Sequence, residues 1–265
     1  MPIALQSTSI QGTDGSYVDI LYRPPLTSED ANLLVFFPGD ISDFAFSRIS
    51  DPLVVGTRFD SEYEFSLDSI SWNLCSRIPE ITGLLIIRPY KMIGWLSLYT
   101  NFFASDSCGD AIWDIDPDKK PEMKASKSLL QYLTSLKNRV DQNAPIDKLI
   151  LVGFSKGCQV ISAFLKERDP SVLRRVQSFI YIDPGSHSPA KLFPFLDADY
   201  AVFPTSIPIT LVCSPYQYDD PERKWLRTEI NEFVLKSECR FKYISQLEKS
   251  VSGHFNTIVL AWTYV

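Results

Sequence analysis

Residues 149–158 read LILVGFSKGC and join a short apolar run to a serine with a glycine on either side. The run 149–152 is short, apolar and rich in branched side chains, as expected of a buried strand. Apolar residues over 160–165 then recur at helical spacing. The stretch therefore predicts a strand, a tight turn and a helix, with Ser155 at the turn.

Ser155 lies in the pattern Gly-x-Ser-x-Gly at this predicted turn. A strand-to-helix turn of this kind holds the serine in a tight, exposed position, and side chains in place of the two glycines would strike the neighbouring strand and helix. The helix N-terminus also places the positive end of its dipole beneath the serine oxygen. The pattern predicts the nucleophile elbow of an α/β-hydrolase, and an ordinary N-cap serine in a glycine-rich turn is the alternative.

Short apolar runs alternate with amphipathic segments along the chain, which predicts an α/β fold with a mostly parallel central sheet and helices on both faces. The predicted buried strands are 33–37, 84–87, 149–152, 179–182 and 209–213, with a weaker sixth at 241–244. Two opening segments alternate apolar and polar residues and predict an antiparallel edge pair: 3–10 and 17–22. Further helices are predicted at 67–78, 123–140 and 222–235.

The 265 residues are expected to form a single α/β-hydrolase domain that spans 1–265. Segments 91–117 and 186–208 break the alternation and are rich in aromatic residues or proline. In a sheet of this kind, long connections run over the edge formed by the carboxyl ends of the strands, where sites form. We expect both segments to be excursions that belong to an inserted cap or lid.

Composition narrows the classes of function. A formal net charge of −6, with no stripe of lysine and arginine, argues against a nucleic-acid partner. The five scattered cysteines are typical of reduced thiols rather than of a disulfide framework or a zinc site.

No secretory signal and no transmembrane segment is evident, so a soluble cytoplasmic protein is expected. Without GxGxxG after the first strand and without a P-loop, no cofactor is expected, and no metal site either. Composition does not fix the oligomeric state.

The oxyanion hole is expected beside the elbow. Gly39 and Asp40 follow the strand 33–37, at the place where an α/β-hydrolase supplies one backbone N–H to the oxyanion. Lys156 follows the nucleophile and would supply the second N–H. Because the Asp40 carboxylate would repel an oxyanion, the side chains of Asp40 and Lys156 are expected to pair with each other. A simple tight turn at 38–40 is the alternative.

Two histidines compete for the role of general base. In the α/β-hydrolase order the histidine comes last, on a loop beyond the final strand. His254 follows the weak strand 241–244 and meets this condition, whereas His187 lies upstream of it. We therefore favour His254, and a surface or capping role is the alternative for either histidine.

The carboxylate that orients the base has three candidates: Asp219, Asp220 and Asp183. Asp220 follows the strand 209–213, where the acid is expected, but it also precedes Pro221 and so resembles a helix cap. Asp183 ends the strand before and competes for the same role. Spacing along the chain does not separate them.

Several motifs together resemble one known family, the eukaryotic hydrolase-like family named after an uncharacterised open reading frame on human chromosome two. They are FFPGD (36–40), LVGFSKGC (151–158), YIDPGSH (181–187), SPYQYDDPERKW (214–225) and GHF (253–255). The resemblance covers most of the chain from Phe36 to Phe255. It implies an α/β-hydrolase-like fold and animal relatives associated with mitochondria, although this chain has no clear presequence. It also places the family's serine, aspartates and late histidine at Ser155, Asp183, Asp220 and His254, and Asp219 matches no family acid.

These observations predict a serine hydrolase that cleaves an ester, thioester or amide of a small-molecule acyl substrate through a Ser-His-Asp triad. The aromatic stretch 95–103 either lines an apolar acyl pocket or belongs to the core. The alternative function is a catalytically inactive scaffold of the same fold that binds a partner or a metabolite.

Overall fold

The structure is a computed structural model that describes residues 5–12, 15–27, 30–44, 47, 63–113, 122–189, 192–194, 207–237 and 239–263. The strands are β1 (Gln6–Gln11), β2 (Tyr17–Arg23), β3 (Asn32–Phe37), β4 (Thr82–Ile87), β5 (Lys91–Ile93), β6 (Leu96–Leu98), β7 (Leu149–Phe154), β8 (Val176–Ile182), β9 (Ile209–Cys213) and β10 (Arg240–Tyr243). The α-helices are α1 (Leu67–Cys75), α2 (Lys124–Arg139), α3 (Cys158–Glu167), α4 (Pro170–Leu173), α5 (Pro215–Tyr218), α6 (Lys224–Ser237) and α7 (Val251–Ala261).

Eight of these strands form one sheet in the order β1-β2-β4-β3-β7-β8-β9-β10. The strands from β4 to β10 in this order run parallel, and β1 and β2 are antiparallel to their neighbours. The apolar runs therefore predicted the parallel strands correctly, and the alternating segments at the start of the chain predicted the antiparallel pair. The strands β5 and β6 form a separate two-stranded hairpin.

The core lies on both faces of the sheet because side chains alternate along each strand. In β3, Leu33, Val35 and Phe37 join one apolar cluster, and Leu34 and Phe36 join the other. The first cluster includes the inner faces of α2, α3 and α6, and the second includes those of α1 and α7. Burial on both faces explains why the central strands are almost continuously apolar.

The C-terminal helix α7 is the main element that the sequence pattern missed. Its first turn, which carries Gly253 and His254, was expected to be a loop, and the apolar residues after it were not assigned to a helix. Ser250 caps this helix, and its side chain accepts a hydrogen bond from the Gly253 N–H at 3.0 Å. The α7 helix also packs near α1, where the rings of Phe65 and Phe255 stack with centroids 4.4 Å apart.

The two expected excursions are only partly within the described residues. Segment 91–117 begins with the β5–β6 hairpin, and its residues 114–117 lie outside the described residues. In segment 186–208, residues 190–191 and 195–206 lie outside them as well. The inserted cap and the single-domain boundary remain predictions. No helix in the described ranges is both long and apolar enough to cross a bilayer.

We expect Ser66→Ala to lower the free energy of unfolding by about 1 kcal/mol, because the Ser66 side chain caps α1 and accepts the Ser69 N–H at 3.2 Å. Urea denaturation of the whole chain measures this effect. The matched control is Ser69→Ala, which removes a hydroxyl from the same helix without removing the cap and should leave stability almost unchanged. Equal losses in the two variants would contradict the capping role.

Candidate active site

Ser155 lies at a sharp turn between β7 and α3. It opens a single 3-10 turn, Ser155–Gly157, that continues directly into the helix. The backbone of Ser155 has φ of 52°, in the left-handed region that non-glycine residues adopt only at a cost of about 1–3 kcal/mol. A strained serine at the turn between a strand and a helix is typical of a nucleophile elbow.

The glycines on either side of Ser155 are required by lack of space. A Cβ atom at Gly157 would lie 2.0 Å from the carbonyl oxygen of Phe37, at the end of β3. A Cβ atom at Gly153 would lie 2.7 Å from the Cα of Cys158, at the start of α3. Both distances are far shorter than van der Waals contact. The elbow is therefore closed against a strand on one side and a helix on the other, as the sequence predicted.

His254 and Asp183 form a buried pair behind the serine. The Nδ1 of His254 lies 2.6 Å from Oδ2 of Asp183, and the two side chains are 7% and 0% exposed. Ser214 orients the carboxylate, because its backbone N–H donates to Oδ1 at 2.7 Å and its hydroxyl donates to Oδ2. Asp183 follows the last residue of β8 and has φ of 45°, so a second strained residue points into this cluster.

The ring of His254 is also held by aromatic contacts. Its centroid lies 4.5 Å from that of Phe154 and 4.9 Å from that of Tyr216. The backbone of His254 belongs to α7, where its N–H donates to the carbonyl of Ser250 at 2.9 Å. A helix and two rings therefore fix the imidazole, in place of the loop that was expected.

Asp220 does not contact His254. Its Oδ1 accepts the Glu222 N–H at 3.0 Å, and its Oδ2 accepts the Arg223 Nε–H at 2.7 Å, so it caps the 3-10 turn Pro221–Arg223. Burial raises the pKa of Asp220, but the hydrogen bonds from Arg223 and Glu222 outweigh it and lower the pKa below its ordinary value. The carboxylate beside the imidazole is Asp183, after β8, and Asp220 matches the capping alternative.

Ser155 and His254 line one cavity of about 360 Å³. The described residues contain no hydrogen bond between the Ser155 hydroxyl and the imidazole. The other side chains that line the cavity are mostly polar: Asp40, Lys156, Ser186, His187, Gln217, Asp220, Glu222 and Arg223, with Trp95, Tyr216 and Phe255 among the apolar ones. The cavity is therefore a small polar cleft with the serine and the imidazole in its wall.

The loop after β3 passes directly over the serine. A Cβ atom at Gly39 would lie 2.5 Å from the Cβ of Ser155, so only glycine fits. The side chains of Asp40 and Lys156 form the expected ion pair, with Nζ 3.0 Å from Oδ1. The backbone N–H of Lys156 lies in the first turn of a helical segment, where N–H groups have no partner within the helix. The Lys156 N–H therefore has no partner within the helix, as an oxyanion donor requires.

Asp40 is bound from several sides. Its Oδ1 accepts the N–H of Ser97 at 2.6 Å and the hydroxyl of Ser97 at 2.8 Å, and its Oδ2 lies 2.7 Å from Nε2 of His187. Burial alone would raise the pKa of Asp40, but the hydrogen bond to His187 and the charges of Lys156 and His187 keep the pKa below its usual range. The carboxylate is therefore ionised and directed toward its partners.

The loop that carries Asp40 is itself strained and anchored. Ile41 has φ of 69°, an unfavourable conformation for a β-branched residue, and its N–H donates to the carbonyl of Trp95 at 2.8 Å. Two residues further on, Asp43 accepts two hydrogen bonds from Arg88, at 2.6 and 2.8 Å. Such bidentate pairs fix orientation as well as distance, so the loop is held in one path over Ser155.

The aromatic stretch 95–103 is divided between the cavity and the core. Trp95 lines the cavity and lies edge-on to His187 with ring centroids 5.4 Å apart. Tyr99, Phe102 and Phe103 are buried in the apolar core instead. Most of the stretch is therefore structural, and a single indole faces the site.

Comparison with solved structures defines the class of protein. The chain superposes on the esterase Est22 with a TM-score of 0.55 over 99% of this chain and 81% of that one, at 9% identity. A fungal esterase from Rhizomucor miehei gives a TM-score of 0.53 over 99% and 84%, at 11% identity. At such low identities the likeness concerns the fold alone. This protein has the α/β-hydrolase fold.

Sequence comparison then identifies the family. The family model described as C2orf69 matches residues 6–147 and 141–238, and the chain belongs to that family. It is 25% identical to a protein of Danio rerio named mitochondrial protein C2orf69 homolog, over 96% of this chain and 84% of that protein. A Mus musculus protein of the same name is 23% identical over 95% and 85%. The resemblance inferred from the sequence motifs is confirmed.

Asp40→Asn should make the free energy of unfolding less dependent on pH in the acid range. Because the pKa of Asp40 is lowered in the folded state, its ionisation stabilises the fold above its ordinary pKa near 4, and this contribution disappears as pH falls through the folded value. We expect the free energy of unfolding to fall less steeply for the variant than for the wild type as the pH is lowered below about 4. Chemical denaturation at a series of pH values measures the slope.

The control for this prediction is Asp147→Asn, which removes an exposed carboxylate paired with Arg175. In this control, the free energy of unfolding should fall with pH as steeply as in the wild type. Parallel stability curves for Asp40→Asn and the wild type would show that Asp40 is not linked to folding in this way.

Proposed function

We propose that this protein is a serine hydrolase in which Ser155 is the nucleophile, His254 the general base and Asp183 the residue that orients His254. The observation that carries the proposal is the strained serine in the wall of the same cavity as an imidazole whose other ring nitrogen is bonded to a buried carboxylate. This arrangement matches the roles of a Ser-His-Asp triad, in the chain order Ser…Asp…His of α/β-hydrolases.

The chemistry follows from these positions. As the Ser155 oxygen bonds to the carbonyl carbon, its proton passes to Nε2 of His254 and the carbonyl π electrons move to the oxygen. The tetrahedral intermediate collapses, the bond to the leaving group breaks, and His254 returns the proton to the departing oxygen, sulfur or nitrogen. Water then repeats the sequence on the acyl-enzyme and releases the acid.

Two backbone N–H groups stabilise the oxyanion in this proposal, those of Asp40 and Lys156. The turn geometry beneath Lys156 and the close approach of Gly39 to Ser155 support it. The Asp40 carboxylate does not oppose the developing charge, because Lys156, Ser97 and His187 bind it. Loss of one such donor typically lowers kcat by about 10²–10³-fold.

The cavity favours small, polar acyl substrates. Its volume of about 360 Å³ is near the lower end of the usual range for ligand pockets, and charged side chains occupy much of its wall. A long acyl chain would remove these charged groups from water, at a cost in binding energy. We therefore propose short esters, thioesters or amides with polar substituents, rather than acyl lipids.

A binding function without turnover is the second candidate. It is favoured by the absence of a hydrogen bond between Ser155 and His254 within the described residues. In that case the cavity would hold a metabolite, and the serine would not be activated. The two candidates differ in whether Ser155 reacts with an electrophile.

Labelling with a fluorophosphonate probe tests the proposal, because the probe reacts only with an activated serine. We expect the folded wild-type chain to be labelled and Ser155→Ala to remain unlabelled. The matched control is Ser186→Ala, a serine in the wall of the same cavity, which should be labelled like the wild type. Absence of label on the folded wild type would favour the binding function.

The choice of acid is tested by two carboxylate variants. Asp183→Asn should lower the labelling rate by about 10³–10⁴-fold, because the amide no longer fixes the tautomer or stabilises the imidazolium. Asp220→Asn should stay near the wild-type rate, since Asp220 caps a turn and does not contact His254. The reverse ranking would assign the orienting role to Asp220.

The location in the cell is a separate proposal. The relatives from Danio rerio and Mus musculus are named mitochondrial proteins, which supports a mitochondrial location for this chain. The cytoplasmic expectation from the sequence remains a prediction. Fluorescence microscopy of the tagged full chain against a mitochondrial marker distinguishes the two.

A further inference from the structure

The cavity contains a second histidine–carboxylate pair that the proposed triad does not use. His254 pairs with Asp183 at 2.6 Å, and His187 pairs with Asp40 at 2.7 Å. Both histidines line the cavity together with Ser155. The His187 pair comes from the loop after β3 and the loop after β8, so it lies on the side of the expected oxyanion hole.

His187 is built into the site at three points. Its backbone N–H donates at 2.8 Å to Oδ2 of Asp110, a fully buried carboxylate that also accepts a hydrogen bond from Gln159 at 3.1 Å. Its Nε2 is engaged by Asp40, and its ring lies edge-on to Trp95. The side chain is still 35% exposed, so the rest of the ring faces the cavity. A histidine on an open surface would lack these three contacts.

The charges around Asp40 give His187 a distinct role. With a neutral imidazole, the buried cation of Lys156 and the anion of Asp40 cancel. With an imidazolium, the three side chains carry a net charge of +1, from +1 on Lys156, −1 on Asp40 and +1 on His187. The backbone N–H groups of Asp40 and Lys156 are the proposed oxyanion donors, so this positive charge would lie beside the developing negative charge.

Other charged groups face His187 from the elements around it. Asp110 contacts its backbone, and Lys156 contacts its partner Asp40. The remaining titratable or charged residues in the cavity wall are His254, Asp220, Glu222 and Arg223. Arg223 is neutralised by Asp220 at 2.7 Å, so the net charge that changes when His187 gains a proton is that of the cluster around Asp40, from 0 to +1.

We propose that His187 is a further catalytic residue, an imidazolium that is held by Asp40 in the wall of the same cavity and stabilises the tetrahedral oxyanion. This inference rests on the proposed hydrolase function. His187 keeps its proton throughout, and the bonds that form and break are those of the triad mechanism. The two histidines then have opposite requirements, because His254 must be neutral to accept the serine proton and His187 must be protonated.

Hydrolysis of p-nitrophenyl butyrate by the full chain, followed as kcat and KM against pH, tests this inference. The kcat of the wild type should fall on the alkaline side. His187→Gln should lower kcat by about 10–100-fold with little change in KM, and should lack that alkaline loss. His187→Lys keeps a cation to higher pH, so it should retain more activity than the glutamine variant and move the alkaline loss to higher pH.

Ser188→Ala is the control in the same loop, because it leaves the backbone contact of residue 188 with Asp110 in place. It should behave like the wild type. The same kcat and pH profile in His187→Gln and the wild type would overturn the role of His187, as would equal losses in the glutamine and lysine variants. Absence of both hydrolysis and fluorophosphonate labelling in the folded wild type would instead refute the hydrolase function, and the inference with it.

Discussion

The contact between the elbow and the end of β3 is the constraint on which the site depends. Gly157 passes so close to the Phe37 carbonyl that no side chain fits between them, and Gly39 lies just as close to Ser155. These contacts join the nucleophile turn to the loop after β3 in a single packing unit. The serine, the turn beneath it and the proposed oxyanion donors therefore keep fixed relative positions without depending on flexible side chains.

Sequence patterns were sufficient for the sheet and for the tight turn between strand and helix at Ser155, because both depend on local rules. Continuous apolar runs identify strands that are buried on both faces, and the glycines around Ser155 report a steric requirement that no other residue satisfies. The pairing of Asp40 with Lys156 could be predicted as well, since two opposite charges next to one proposed oxyanion site each need a partner.

The partner of His254 and the role of His187 could not be read from spacing. Asp183 and Asp220 each follow a strand and each precede a proline, so their local sequences are nearly equivalent. The difference lies in their tertiary contacts. The Ser214 N–H and hydroxyl orient the Asp183 carboxylate, whereas Arg223 binds the Asp220 carboxylate. The α7 helix was missed for a different reason: the late histidine was expected on a loop, although Val251, Phe255 and Ile258 recur at helical spacing.

The buried ion pair of Asp40 and Lys156 also has a consequence for how the molecule folds. The two residues are 116 positions apart, and the lysine is 1% exposed. Burying the charge of Asp40 or of Lys156 without its partner would cost several kcal/mol. Neither the loop after β3 nor the elbow is therefore expected to become buried before the other. The loop after β3, the hairpin of β5 and β6 and the elbow must therefore dock in one cooperative step. A partly assembled chain would leave this region open and hydrated, and Ser155 would acquire its strained geometry only at the end of folding.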